Sequence, residues 1–374
     1  MVGSTIEIDL AALRHNFSQV RKLVGQTTAI LGVVKSDAYG HGMVAVAREL
    51  ETQGVEYLGV SNCREGVPLR QADLTTPILL LLGIEEDEIT DVIKHDLTPV
   101  LFRGDIAEAI SSTALAASTQ IPVHLKIDTG MGRLGVPHVE AEKFFELVKS
   151  LKGIRVEGLL SHFASADEHD KSFSTQQLER FRRVLNQAKS AGLNFRYAHI
   201  ANSAGIIDLP DSYHQLVRPG IMLYGGPPSQ ELLHPVPLKP VMTLKTRVLQ
   251  LKEVAAASPL GYGCTYLTSR PSRIATLPVG YDDGYDRLLS NKGEVLVRNR
   301  RAPVVGRVSM CLITVDVTEI PEVQPEDEVV LLGRQGDEEI TADDIAAKTD
   351  TINYEIFCNF GGNRRKQFLN SSVS

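Results

Sequence analysis

The chain has 374 residues, 43% hydrophobic and 23% charged, and 39 Lys plus Arg against 46 Asp plus Glu give a formal net charge of -7. These are the proportions of a soluble globular protein, and they argue against a chain built mainly to bind nucleic acid or an anionic membrane. No apolar run is long enough to span a bilayer, and the opening MVGSTIEIDL lacks the basic stretch and apolar core of a signal peptide.

Thr5 to Asp9 alternates like a strand, and Leu10 to Val24 has the period of an amphipathic helix. Apolar strand-like runs then alternate with helical patterns: Thr28–Lys35, Tyr57–Ser61, Ile78–Leu82, Thr98–Phe102, Val123–Ile127, Val156–His162, Tyr197–Ala201 and Leu216–Leu223. Eight such runs with helices between them predict an α/β fold, an N-terminal (β/α)8 barrel of the TIM type over residues 10–235. A doubly wound open sheet would alternate similarly, but no glycine-rich dinucleotide fingerprint follows the first run. Tyr224 to Pro240, YGGPPSQELLHPVPLKP, reads as a connection. Beyond it the runs Val241–Val254, Ser272–Pro278, Gly293–Val297, Ala302–Val305, Leu312–Val317 and Asp327–Leu332, with one helical stretch at Ala342–Lys348, predict a mostly-β domain. That domain is expected over 236–374, joined by the N-terminal strand 1–9. Cys63, Cys264, Cys311 and Cys358 are scattered and form no metal-type pair, so a reducing cytoplasm and no metal site are expected.

The first barrel run ends at Lys35 in AILGVVKSDAYGHG, residues 29–42. Strand ends of a parallel barrel face the ligand, and a partly desolvated amine there can form a Schiff base with a carbonyl cofactor. A solvated lysine is the plainer alternative. In KIDTGMGRLG, residues 126–135, three glycines around Arg133 suit a loop that brings a guanidinium to a carboxylate or phenolate. His162 follows the sixth run and could be a structural histidine. His199, Asn202 and Ser203 end the seventh run, and Arg218, Gly220 and Ile221 lie in the eighth, where barrels often bind phosphate through backbone N–H groups. Ser203 could equally cap a helix. Tyr262 and Tyr281 sit in tyrosine–glycine clusters of the second domain, where tyrosines are usually core or interface residues.

In this order the segments VVKSDAYGHG, TGMGRLG, SHFASADE, ANSA, RPGIMLYG, YGCTY, VGYDDGYDR, GRVSM and TINYE resemble the alanine racemases, barrel-class pyridoxal-phosphate enzymes, from about Thr5 to about Tyr354. The resemblance implies that Lys35 holds pyridoxal 5'-phosphate covalently and that Tyr39, Ser203, Gly220, Ile221 and Tyr354 hold its phosphate, beside Asn202. Arg218 would face the pyridine nitrogen, with His199 and His162 bonded to it. Lys126 would be carbamylated and fix Arg133 near the substrate carboxylate. Tyr262 and Met310 would enter from the other subunit of a head-to-tail homodimer, and Tyr281, Arg287 and Arg307 would line the entrance. The implied activity is interconversion of L- and D-alanine with Lys35 and the partner subunit's Tyr262 as the two bases, supplying D-alanine for peptidoglycan. A serine or broad-specificity racemase of the same fold is the nearest alternative; an amino-acid decarboxylase and a non-catalytic vitamin B6 carrier are further ones. The chain departs from the family at Ser36-Asp37, where alanine–asparagine is common, and at Cys311-Leu312, where aspartate–glutamine is usual. A third departure is Asn363-Arg364-Arg365-Lys366, where R-V-P-R is common.

Overall fold

The computed structural model describes residues 3–362 and 365–371. Asn363 and Arg364, part of the last departure above, lie outside the described residues. The chain divides into two units: one holds the described residues of Met1–Leu13, Tyr39–Gly42 and Lys239–Ser374, the other Arg14–Ala38 and Met43–Leu238. The chain starts with β1 (Thr5–Asp9), in the first of these units.

The second unit is the barrel. Its strands are β2 (Ala29–Val33), β3 (Tyr57–Val60), β4 (Ile78–Leu80), β5 (Thr98–Leu101) and β6 (Ile121–Asp128), a two-residue β7 (Val136–Pro137) beside β6, then β8 (Ile154–Leu160), β9 (Tyr197–His199) and β10 (Leu216–Val217). They pair in parallel in the order β10-β2-β3-β4-β5-β6-β8-β9. The two ends meet just past the strands, where Arg218 N–H donates to Ala201 C=O at 2.9 Å. Leu58, Val60, Leu79, Leu80, Leu125 and Leu159 are fully buried, as strands covered on both faces require. Each of the eight predicted runs overlaps a strand, although β6 and β8 begin two residues before their runs. All but the fifth run overshoot the strand's end, because apolar residues continue past the ladder. The eighth overshoots most: the strand stops at Val217, and Ile221–Tyr224 is a 3-10 turn.

The other unit is mostly strand. Its largest sheet runs β17 (Arg300–Pro303), β16 (Glu294–Val297), β19 (Glu328–Gln335), β11 (Met242–Arg247), β1, β21 (Lys366–Leu369), with β20 (Glu338–Ile340) paired to β19. A three-stranded antiparallel sheet, β12 (Gln250–Val254), β15 (Ser272–Leu277), β18 (Ile313–Asp316), and a hairpin, β13 (Pro259–Leu260) with β14 (Tyr266–Leu267), complete it. The predicted run Val241–Val254 is two strands, β11 and β12. The predicted helix is present as Ala342–Thr349, capped by Thr341, whose side chain accepts from Asp344 N–H at 3.0 Å. A further helix, Asn353–Gly361, was not anticipated. Among the described residues no helix is long and apolar enough to cross a membrane.

Candidate active site

The strand that leads to Lys35 stops at Val33, two residues earlier than expected. Lys35, half-buried, opens a turn in which Ser36, Asp37, Ala38 and Tyr39 all have φ between +53° and +55°. Four consecutive non-glycine residues in the left-handed region are strained, by roughly 1–2 kcal/mol each. The surroundings of the barrel unit hold the turn. Glu65 accepts from Ser36 N–H and from Ser61 N–H, both at 2.7 Å, which ties it to the end of β3. Asp37 accepts from Met43 N–H at 2.7 Å, and Ala38 N–H donates to Val34 C=O at 2.8 Å.

Opposite strand ends of the barrel carry a buried network around Arg218. Its Nη1 lies 2.9 Å from His199 Nδ1; its Nη2 contacts Ser161 O at 2.7 Å, His162 Nδ1 at 3.0 Å and Ile200 O at 3.1 Å. A guanidinium only donates, so both imidazoles accept at Nδ1 and carry their proton on Nε2. Burial pushes the Arg218 pKa down, to about 9, which leaves it cationic at neutral pH. Burial first, and then the Arg218 charge, hold His199 and His162 well below the usual imidazole range. His199 Nε2 lies 2.8 Å from Nδ1 of His124, a fully buried residue that burial and Arg218 push down to about 3.

Lys126 is buried near the end of β6. Burial, then the charges of Arg218, Arg133 and Lys35, push its amine down to about 8, against the pull of Asp128. Asp128 also builds the loop that follows: its two oxygens accept from Gly130, Met131 and Gly132 N–H at 2.8 to 2.9 Å, and Arg133 stands exposed beyond it. Gln177 secures the next loop, accepting from Ala164 N–H at 2.8 Å and donating to His162 C=O at 3.0 Å.

After β9, Asn202 caps the short helix Ser203–Asp208 by accepting from Gly205 N–H at 2.9 Å. The cap is therefore Asn202, and Ser203 is free for another task. Its Oγ accepts from Gly220 N–H at 2.9 Å and Met222 N–H at 3.5 Å, which leaves its own O–H to donate. Asp208, at the other end of that helix, is clamped by Lys171 Nζ at 2.9 Å and Leu233 N–H at 3.0 Å.

In the mostly-β unit the structure brings together Tyr39 and Tyr354, whose ring centroids are 6.0 Å apart. Gly40 makes this possible: with φ +81°, a Cβ there would lie 2.4 Å from Phe357 O. Burial raises the Tyr39 phenol above its usual range. Tyr262, Tyr281, Arg287, Arg307 and Met310 all lie in this unit. Tyr281 and Asp282 N–H donate to Ser309 and Met310 C=O, both at 3.0 Å. Asp286 accepts from Leu288 N–H at 2.7 Å in the turn that carries Arg287, and the backbones flanking Tyr262 lie against Arg307. Tyr262 is 71% exposed and Met310 56% exposed, beside exposed Leu288 and Leu312.

The family described as alanine racemase, N-terminal domain, matches residues 8–228, and the one described as alanine racemase, C-terminal domain, matches 241–368. The chain belongs to the alanine racemase family. It is 55% identical over 370 residues to the alanine racemase of Syntrophobacter fumaroxidans, with 99% of this chain and 98% of that protein covered. It is 48% identical to that of Halothermothrix orenii over 97% of this chain and 96% of the relative. Among solved structures, the alanine racemase of Clostridium difficile 630 superposes with a TM-score of 0.94 at 35% identity, covering 99% of this chain and 97% of the other. That of Bartonella henselae, described as having covalently bound pyridoxal phosphate, superposes at 0.89 with 31% identity, covering 99% of this chain and all of the other.

Within this family member, two residues that hold the site together were not singled out from the sequence. Glu65 gives no local signal, because its N–H partners lie on separate segments. His124 did leave one: it sits two residues before Lys126, on the same side of a buried strand, where a second polar side chain needs a partner.

Proposed function

We propose that this chain is a pyridoxal-phosphate-dependent racemase that interconverts L- and D-alanine as a cytoplasmic homodimer, providing D-alanine for peptidoglycan. The observation that carries the reading is the gathering of Lys35, Lys126, Arg133 and Arg218 at the strand ends of one barrel, close enough for three of them to depress the amine of the fourth. Such a site fits an anionic cofactor with a reactive carbonyl. Lys35 offers the amine, the Ser203 hydroxyl and the Gly220–Ile221 turn offer the phosphate cradle, and Tyr39 and Tyr354 keep the phosphate-holding role the resemblance assigns them.

Once held there, pyridoxal phosphate supplies the electron sink that acidifies the substrate Cα–H. The protein supplies the bases and the electrostatics. Racemisation takes a proton from one face and returns one to the other, so one base per face is the economical arrangement: Lys35 on one, Tyr262 of the partner subunit on the other. The phenol needs help to ionise at neutral pH, its ordinary pKa being about 10. His162, locked by Arg218 with its proton on Nε2, is a donor suited to a phenolate. Arg218, cationic at neutral pH, would leave a facing ring nitrogen unprotonated, which would restrain the electron sink and favour return of the proton to Cα. Arg133 receives the substrate carboxylate. The amine of Lys126, partly neutral near pH 8, is disposed to take up carbon dioxide, which would turn a cation into an anion that fixes Arg133. The exposed Tyr262, Tyr281, Leu288, Met310 and Leu312 form the kind of apolar rim that a second copy covers.

Circular dichroism of L-alanine and of D-alanine, incubated with protein and added pyridoxal phosphate, tests the assignment. Decay of both signals to zero is expected; unchanged signals would remove it. Serine racemised as fast as alanine would favour the broad-specificity alternative.

A further inference from the structure

His124 is an unusual core residue. It is fully buried in β6, and its Nε2 has no hydrogen-bond partner among the described residues. The rings of Tyr57 and Tyr197 flank it, with centroids 5.7 and 6.2 Å away. A leucine or phenylalanine would fill that space without stranding a polar atom. The space is cut to fit an imidazole: Gly158, its register partner on β8, has no side chain, and a Cβ there would lie 2.3 Å from His124 Nδ1.

The polar atom that is used explains why the residue stands there. Arg218 can only donate, so His199 accepts at Nδ1 and carries its proton on Nε2, which points at His124 Nδ1 at 2.8 Å. His124 must accept, and its own proton therefore lies on the unpartnered Nε2. The three side chains form a one-way series of donors, Arg218 to His199 to His124. If the last acceptor were removed, the His199 Nε2–H would be buried without a partner. That stranded donor weakens the preference for this tautomer: a shift of the proton to Nδ1 relieves it but sets an N–H against the guanidinium.

We propose that His124 is a positioning residue for Arg218: by accepting from His199 it fixes the tautomer that keeps the guanidinium in place. This rests on the reading of Arg218 given above only for its catalytic consequence, since the tautomer itself is a property of the protein.

The experiment compares wild type, His124→Asn and His124→Leu as holoenzymes, with 15N-labelled histidine. Asparagine retains an acceptor near the position of Nδ1, and leucine does not. In the wild type, His199 and His124 are both expected to show an unprotonated Nδ1 and a protonated Nε2. His124→Asn is expected to preserve the His199 pattern and most of kcat. His124→Leu is expected to move the His199 proton toward Nδ1 and to lower kcat by about ten- to a hundred-fold, with KM little changed, as displacement of a catalytic group does. The opposite tautomer in the wild type, or an unaltered His199 in His124→Leu, would overturn the proposal. So would a His124→Asn variant that loses as much kcat as His124→Leu. A wild-type protein that racemises nothing would instead remove the functional reading and leave the tautomer result standing.

Discussion

Three histidines of the Arg218 network make the fold acid-sensitive at an unusually mild pH. His124, His162 and His199 are neutral in the folded protein, burial and then Arg218 holding them far below their ordinary range, to about 3 for His124. In the unfolded chain each titrates near 6.5. Between those values the unfolded state binds more protons, so stability rises with pH, and it is lost as pH falls through about 6.5. From pH 7.5 to 5.5 the linkage relation gives about 1.4 kcal/mol per imidazole, or roughly 4 kcal/mol for the three, and His138 and His214, lowered chiefly by burial, add to it. The depressed carboxylates Asp208 and Asp327 act at lower pH and contribute little in this window. Urea unfolding of the cofactor-free protein, followed by far-ultraviolet circular dichroism at both pH values, measures the loss. His124→Asn removes one titrating group and should lose about 1.4 kcal/mol of the dependence. If its pH dependence matched that of the wild type, or if the wild type were equally stable at both pH values, the burial argument would fail.

Three further outcomes follow from the site. With an amine pKa of about 8, roughly a quarter of Lys126 is neutral at pH 7.5, against about 0.1% for an ordinary lysine, so 13C-bicarbonate should give a carbamate resonance that Lys126→Met lacks. Glu65→Ala removes the shared acceptor of Ser36 and Ser61 N–H, and about 2 kcal/mol of stability should be lost together with affinity for pyridoxal phosphate, read by cofactor titration; unchanged affinity would sever the turn from the site. Tyr262→Phe should suppress solvent-deuterium incorporation from one alanine enantiomer far more than from the other, and equal, undiminished exchange from both would contradict the two-base scheme.

The barrel was legible because parallel strands buried on both faces read as apolar runs, and every strand from β2 to β10 except the two-residue β7 overlaps one. Their ends were less legible: Val34, Leu81 and Phe102 are as apolar as the strands they follow, and only hydrogen bonding decides where a ladder stops. The helix Asn353–Gly361 escaped notice because it carries no capping side chain and several residues of weak helix propensity. The left-handed turn at Ser36–Tyr39 contradicts local preference and is held by Glu65, distant in sequence, and by the Met43 N–H just beyond it. Lys35, Arg133, Ser203 and Arg218 could be picked out as side chains at strand ends. The direction of each proton between Arg218, His199 and His124 could not, because it depends on distances between three strands.

The covalent attachment at Lys35 is tested most directly by borohydride reduction of the holoenzyme followed by peptide mass mapping. The account predicts a single phosphopyridoxyl group, on Lys35, absent from Lys35→Ala together with the visible absorbance and the racemisation. The group on Lys126 or another lysine, or a yellow and active Lys35→Ala variant, would contradict it.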